Sequence, residues 1–224
     1  MSDRFVLDSN KDEIEQVFGV TSQRDDFFDP QYNISPGSLV PAVFTENEKR
    51  NILKFYWGLI SEGADSEQEG KSHFEYPVEE LGEDDWVDAC FEQRRCLIPA
   101  SGFYKWKTSK KKNTPFYIRL LDNKVMAFAG LYSVWKAESG REMYSCTMLT
   151  TEANVLVQPV DERMPVIIRC ENYAKWLGEE SVDANEIKAM MQPYQLTEMA
   201  VNRVSEEVND INASGPELIQ PIPK

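Results

Sequence analysis

Two hydrophobic spacings alternate along this chain, and they predict its elements. Ile14, Val17 and Phe18 follow Ser9 and Asn10 at helical spacing, so Lys11 to Phe18 is expected to form a short capped amphipathic helix. Ser38 to Phe44 and Ile52 to Leu59, rich in Val, Leu and aromatics, read as strands. Glu62 to Asp85 is acidic and Gly-containing, and is expected to be a long loop or lid. Asp84 and Asp85 then open a helix carrying Trp86, Ala89, Cys90 and Phe91, where acidic side chains suit the positive end of the helix dipole.

From Cys96 onward the pattern favours strands. Cys96 to Pro99, Pro115 to Leu120, Val125 to Trp135 and Met143 to Thr151 are bounded by charged or turn-forming clusters such as KTSKKKN and LDNK. Tyr173, Trp176 and Leu177 suggest a short helix, Ala184 to Met191 another, and Gln195 to Val201 a last strand. Strands interrupted by a few short helices point to an α+β fold. The expectation is one domain over 1–224, built on an antiparallel sheet or open β-barrel with short peripheral helices and a packed tail at 203–224.

Composition narrows the function classes. The chain has 224 residues, 42% of them apolar and 28% charged, enough to bury a sizeable core as a soluble globule. No apolar run reaches the ~20 residues of a membrane helix, and MSDRFVLDSNKDEIEQ lacks the regions of a signal peptide, so the expected location is the cytoplasm. Cys90, Cys96, Cys146 and Cys170 form no CxxC pair and His73 is the only histidine, so reduced thiols are expected, with neither metal nor cofactor. The net charge of −14 opposes nucleic acid at long range, because non-specific affinity for phosphates comes from Lys and Arg.

Ordered sequence blocks carry a resemblance. YNISPG (32–37), WGLIS (57–61), RRCLIPASGFYKW (94–106), AFAGLYSVW (127–135), MLTTEAN (148–154), DERMPVII (161–168) and VSEEVNDINASGPELIQP (204–221) follow one another through nearly the whole chain. They resemble the blocks of the SOS-response-associated peptidase family, the abasic-site processing proteins, which write GFYEW, YNIAPT and HDRMPVIL at three of these places. The resemblance implies that family's fold, a role in the SOS and DNA-damage response, and single-stranded DNA with abasic sites as partner. It also implies release of the initiator residue. In that family the N-terminal cysteine then attacks the abasic aldehyde, and its amine and thiolate close a thiazolidine that crosslinks protein to DNA.

The polar roles of that site fall on changed residues. The nucleophile position is Ser2, within MSDRF where the family has MCGRF. The family's asparagine aligns with Glu75, an arginine with Pro77, the glutamate with Lys105 and the histidine with Asp161, while Glu79 keeps its type. Arg4 and Arg163 stand where relatives contact phosphate, and Thr150 and Thr151 retain a loop that lines the cleft. Glu206 and Glu207 stand where many relatives carry neutral or basic residues.

Three readings follow. The first is a pseudoenzyme that keeps the fold and cleft as a binding or regulatory protein, with Lys105 and Asp161 as an exchanged ion pair. A second makes Lys105 the nucleophile of a Schiff-base lyase on abasic DNA, with Asp161 or Glu75 as proton acceptor. A third is a non-covalent single-stranded DNA-binding module using Lys105, Lys107, Lys110, Lys111 and Lys112, with Tyr104 and Trp106 interleaved for stacking.

Overall fold

A computed structural model describes residues 4–22, 29–109, 112–122, 124–137 and 139–222. Ser2, Lys110 and Lys111 lie outside the described residues. The strands are β1 (Arg4–Leu7), β2 (Gln31–Ile34), β3 (Leu39–Glu46), β4 (Lys49–Trp57), β5 (Glu75–Pro77), β6 (Arg95–Ala100) and β7 (Gly102–Ser109), followed by β8 (Lys112–Leu120), β9 (Met126–Lys136), β10 (Glu142–Glu152), β11 (Arg163–Pro165), β12 (Ile167–Ile168) and β13 (Met199–Arg203). The helices are α1 (Lys11–Phe18), α2 (Asp85–Gln93), α3 (Tyr173–Trp176) and α4 (Ala184–Met190). None is long and apolar enough to cross a membrane.

The strands form two sheets, and the larger closes on itself. β10 pairs with β4 on one edge and β9 on the other, and the order β10-β4-β3-β6-β9 returns to β10. The fold is therefore α+β around a small barrel with an attached five-stranded sheet, β13-β8-β7-β1-β2. One detail departs from the expected antiparallel arrangement: β10 runs parallel to both β4 and β5. The sequence pattern also leaves out β1 and β7. β1 is only four residues, all buried, so it offers no alternation to read. β7 extends to Ser109, into the first residues of the lysine-rich segment that was expected to be a turn, and pairs there with β8.

Local chemistry explains the element ends. Asn10 accepts a hydrogen bond from the Glu13 amide at the start of α1, and Gly19 ends it with φ +62°. Asn47 and Glu48, both at positive φ, make the two-residue turn that joins β3 to β4. The core is continuous between the sheets: Phe5 of β1 packs edge-on against Trp57 at 5.1 Å and Phe128 at 5.7 Å. A second, smaller cluster lies on the other face of β1 and β7. There Val6, Tyr104 and Tyr117 meet Val204, Val208 and Leu218 from the C-terminal segment.

The acidic segment at 62–85 is held at several points. The Trp57 indole donates to the Phe74 carbonyl at 2.7 Å, and the Trp135 indole to that of Ala64 at 2.9 Å. β5 adds to the edge of β10, and Gly58 and Gly70 approach so closely that a Cβ on either would lie 2.4–2.5 Å from the other's carbonyl oxygen. Glycine at both positions is what lets this backbone crossing exist.

Candidate functional site

The pleat of β1 and β7 decides what each side chain of the expected site faces. Arg4 pairs with Tyr104 and Phe5 with Phe103, so Phe5, Phe103 and Lys105 share the face toward the barrel. Arg4, Val6, Tyr104 and Trp106 share the opposite face, toward the C-terminal segment. Lys105 is consequently only 2% exposed. It lines a narrow cavity of about 10 Å³ with Arg4, Trp57, Met148, Thr150 and Pro165. That is room for about one water.

Arg4 is 8% exposed and held by main chain. Its guanidinium donates to the Val208 carbonyl, to that of Asn209 at 3.2 Å and to Asn33 Oδ1 at 3.2 Å. It also lies over the Trp106 ring, 5.4 Å from its centre. Burial lowers its pKa, partly offset by the nearby Asp210 carboxylate and Tyr104. The Trp106 indole donates to Asn209 Oδ1 at 2.6 Å, and Asn33 Nδ2 donates to the Asp210 and Ala213 carbonyls. Residues 204–219 are thereby strapped across β1 and β7.

Arg163 lies across the end of β10. It bonds Glu79 Oε2 at 2.8 Å, the Thr150 carbonyl at 2.6 Å and Thr150 Oγ1 at 3.0 Å. Glu75, half-buried on β5, is in register with Met148 of β10, one of the residues lining the cavity. Asp161 Oδ1 accepts from the Arg163 backbone amide at 2.9 Å, so its carboxylate organises the turn before β11. The expected ion pair between Lys105 and Asp161 is absent among the described residues. That expectation took the aligned roles to be neighbours; strand register places Lys105 under the barrel face and leaves Asp161 at a turn outside the cavity lining.

The structure thus brings Arg4, Lys105 and Thr150 to one cavity and joins Arg163 to it through Thr150. It leaves Asp161 outside, and Ser2 lies beyond the described residues. The stacking platform expected around Lys105 is also not formed as read. Tyr104 is fully buried, with its hydroxyl donating to the Tyr32 carbonyl at 2.8 Å, and Trp106 is covered by Arg4. Lys112 is spent on Glu206. Asn33, Asn209 and the strap carbonyls had no signal in the chain beyond the YNISPG and VSEEVND blocks themselves, because a main-chain acceptor carries no residue preference.

The three buried thiols are poor nucleophiles by position. Burial pushes Cys90 up to about 11 and raises Cys96 and Cys146 further, while Cys170 is exposed. Titration with a thiol-reactive disulfide at pH 8 should therefore modify one cysteine in the native protein and all four in guanidinium. Prompt native reaction of more than one thiol would contradict this burial pattern. No group of His, Cys, Asp or Glu among the described residues is placed to hold a metal ion.

Comparison with known proteins gives a consistent result. A family model described as SOS response associated peptidase (SRAP) matches residues 1–211. The chain is 33% identical over 226 residues to the abasic site processing protein YoqW of Bacillus subtilis, covering 98% of this chain and 99% of that one. It is 24% identical to the abasic site processing protein HMCES of Gallus gallus over 89% of this chain and 68% of that protein. Among solved structures, a protein from Bacteroides thetaiotaomicron superposes with a TM-score of 0.87 at 21% identity, covering 98% of this chain and 99% of that one. One from Bordetella bronchiseptica gives 0.74 at 19%, covering 92% of this chain and all of that one.

Proposed function

The chain belongs to the SOS response associated peptidase family, and from that premise we propose that it serves abasic-site processing as a reversible binder of damaged single-stranded DNA. In this reading it keeps the cleft and has lost the covalent crosslink. The observation that carries the reading is the internal use of the cleft's cations. Arg163 is committed to Glu79 and Thr150, and Arg4 to the strap carbonyls. A crosslinking site must hold the sugar and phosphates rigidly against a nucleophile. Here the phosphate-binding groups are satisfied by the protein itself. The resemblance supports this reading, since it assigns Ser2 to the place of a thiol and Glu75, Lys105 and Asp161 to the places of an asparagine, a glutamate and a histidine.

Incubation with a single-stranded oligonucleotide carrying one abasic site, followed by denaturing electrophoresis, tests this. The expected result is no shifted band under denaturing conditions, with retardation on a native gel at low salt only. A band surviving denaturation would sink the reading. The Arg163–Glu79 pair is partly solvent-exposed, so it is a weak clamp. Glu79→Ala is accordingly expected to raise affinity for a single-stranded oligonucleotide about threefold to fivefold and to steepen its salt dependence by roughly 0.7 in log–log slope, the effect of one added phosphate contact.

A second reading rests on the burial of Lys105 at the same cavity as Arg4 and Thr150. In it, the Lys105 amine adds to the abasic aldehyde and expels water, giving a Schiff base. Borohydride would reduce that adduct to a stable amine. Trapping that appears in the parent protein and disappears in Lys105→Ala would favour this lyase reading over the binder; absence of trapping removes it.

A further inference from the structure

Beside the cleft cavity, and sharing Glu79 with the Arg163 clamp, a half-open groove of about 970 Å³ runs between α2, α4 and the 78–82 turn. Its volume is near the upper end of the range for ligand pockets, roughly 300–1,000 Å³. Val78, Leu81, Phe91, Ile187 and Met191 supply apolar lining. The wall formed by α4 is unusual, because no side chain of that helix is buried. Polar groups fasten its start, where Asp183 and Glu186 form a capping box and Glu186 pairs with Lys175 at 2.7 Å, while Ile187 and Met190 pack partly against the core. A helix anchored in this way leaves Ile187 only partly covered, lining the groove.

The rim of the groove is acidic. Glu79, Asp88, Glu92 and Glu152 line it, against Arg95 and Lys188. Arg95 is already used, donating to the Trp176 and Phe91 carbonyls and lying over both of their rings. Glu79 is likewise used by Arg163. Asp88 Oδ1 accepts from the Gly82 amide at 2.8 Å, so what remains to face an incoming partner is Glu92 and Glu152 against Lys188, within a chain of net charge −14. This field opposes phosphates and attracts cations.

We propose that this groove docks a cationic amphipathic helix of a partner protein. Its apolar face would lie between α2 and α4, and its Lys or Arg residues along Glu92 and Glu152. α2 lines the groove through Asp88, Phe91 and Glu92, about one helical turn, and α4 faces it through Ala184, Ile187 and Lys188, so the two walls can hold a helix presenting anchors at i, i+3 or i+4, and i+7. The acidic rim provides steering and orientation, and the apolar floor the residence time. This docking is independent of whether the cleft binds DNA.

The test is fluorescence anisotropy with a labelled fifteen-residue probe, roughly two heptads long, carrying leucines on one helical face and lysines on the other. A scrambled peptide of identical composition serves as control. Saturable binding is expected, at least tenfold tighter than for the scrambled peptide. Ile187→Asp, on a helix with no buried residue, should weaken it tenfold or more, and so should Val182→Asp, which lines the groove just before the start of α4. The double variant Glu92→Gln, Glu152→Gln should weaken it about fivefold and flatten its salt dependence. Equal binding of the scrambled peptide, or no effect of both Asp variants with circular dichroism unchanged, would overturn the proposal by showing diffuse attraction to an acidic surface. Displacement of the probe by a single-stranded oligonucleotide, or self-association that Ile187→Asp abolishes, would overturn it in favour of nucleic acid or a second copy of this chain.

Discussion

Replacing Arg4 with alanine is expected to lower the stability of the protein by about 3–4 kcal/mol and to free its C-terminal strap. The charged hydrogen bonds to Val208 and Asn209 contribute on the order of 1.5–3 kcal/mol each, and their loss strands the buried Val208 carbonyl. The Trp106 ring beneath the guanidinium loses its cation as well. At roughly 2–4 °C per kcal/mol for a domain of this size, the melting temperature should fall by about ten degrees. Limited proteolysis should cut the variant within 204–219 under conditions that spare the parent. Arg4→Lys should recover only part of the loss, because one ammonium cannot reproduce the guanidinium fork that spans the two carbonyls and Asn33. A variant as stable as the parent would mean that the strap is held by Val204, Val208 and Leu218 alone.

Trp57→Ala is expected to cost about 3–5 kcal/mol, the range for deleting a fully buried aromatic. Trp57 is 1% exposed and packs edge-on against Phe5 at 5.1 Å and Phe74 at 6.4 Å. Its indole also pins the acidic segment by donating to the Phe74 carbonyl. The substitution should therefore show two signatures: a melting temperature lower by roughly ten degrees, and faster amide exchange around 62–77. Trp57→Phe keeps most of the volume and removes the donor, so its cost should be nearer 1–2 kcal/mol, with the exchange effect retained. If exchange in that segment were unchanged in both variants, the anchoring role assigned to Trp57 would be wrong.

Much of the fold was legible because it rests on local rules. The helix at Lys11–Phe18 appears with its expected bounds, since a side-chain cap and an apolar i, i+4 pair are both written within one short stretch. The long strands at Met126–Lys136 and Glu142–Glu152 appear close to their predicted places for a similar reason. β7 was less legible: its lysines resemble a turn by composition, and only pairing with β8 shows that the strand continues through Ser109. Parallel pairing of β10 with β4 and β5 is likewise a tertiary choice, because a strand's own residues do not state the direction of its neighbour.

The candidate site divides the same way. Family membership is a property of the sequence, readable in ordered blocks before any contact is known, and the resemblance assigns site positions to Ser2, Glu75, Pro77, Lys105 and Asp161. Their placement in space is not readable there. Lys105 is buried because strand pairing sets it one step beyond Tyr104 on the barrel face, and Asp161 stays apart because its carboxylate caps the Arg163 amide. Arg4 meets the Val208 carbonyl across 204 residues of chain. Residue identity records chemistry and short-range backbone preference, and those determined the family and most of the elements. Which cation meets which acceptor depends on register and on main-chain groups common to all residues, so only the folded structure decided that the arginines of this cleft are held by the protein itself.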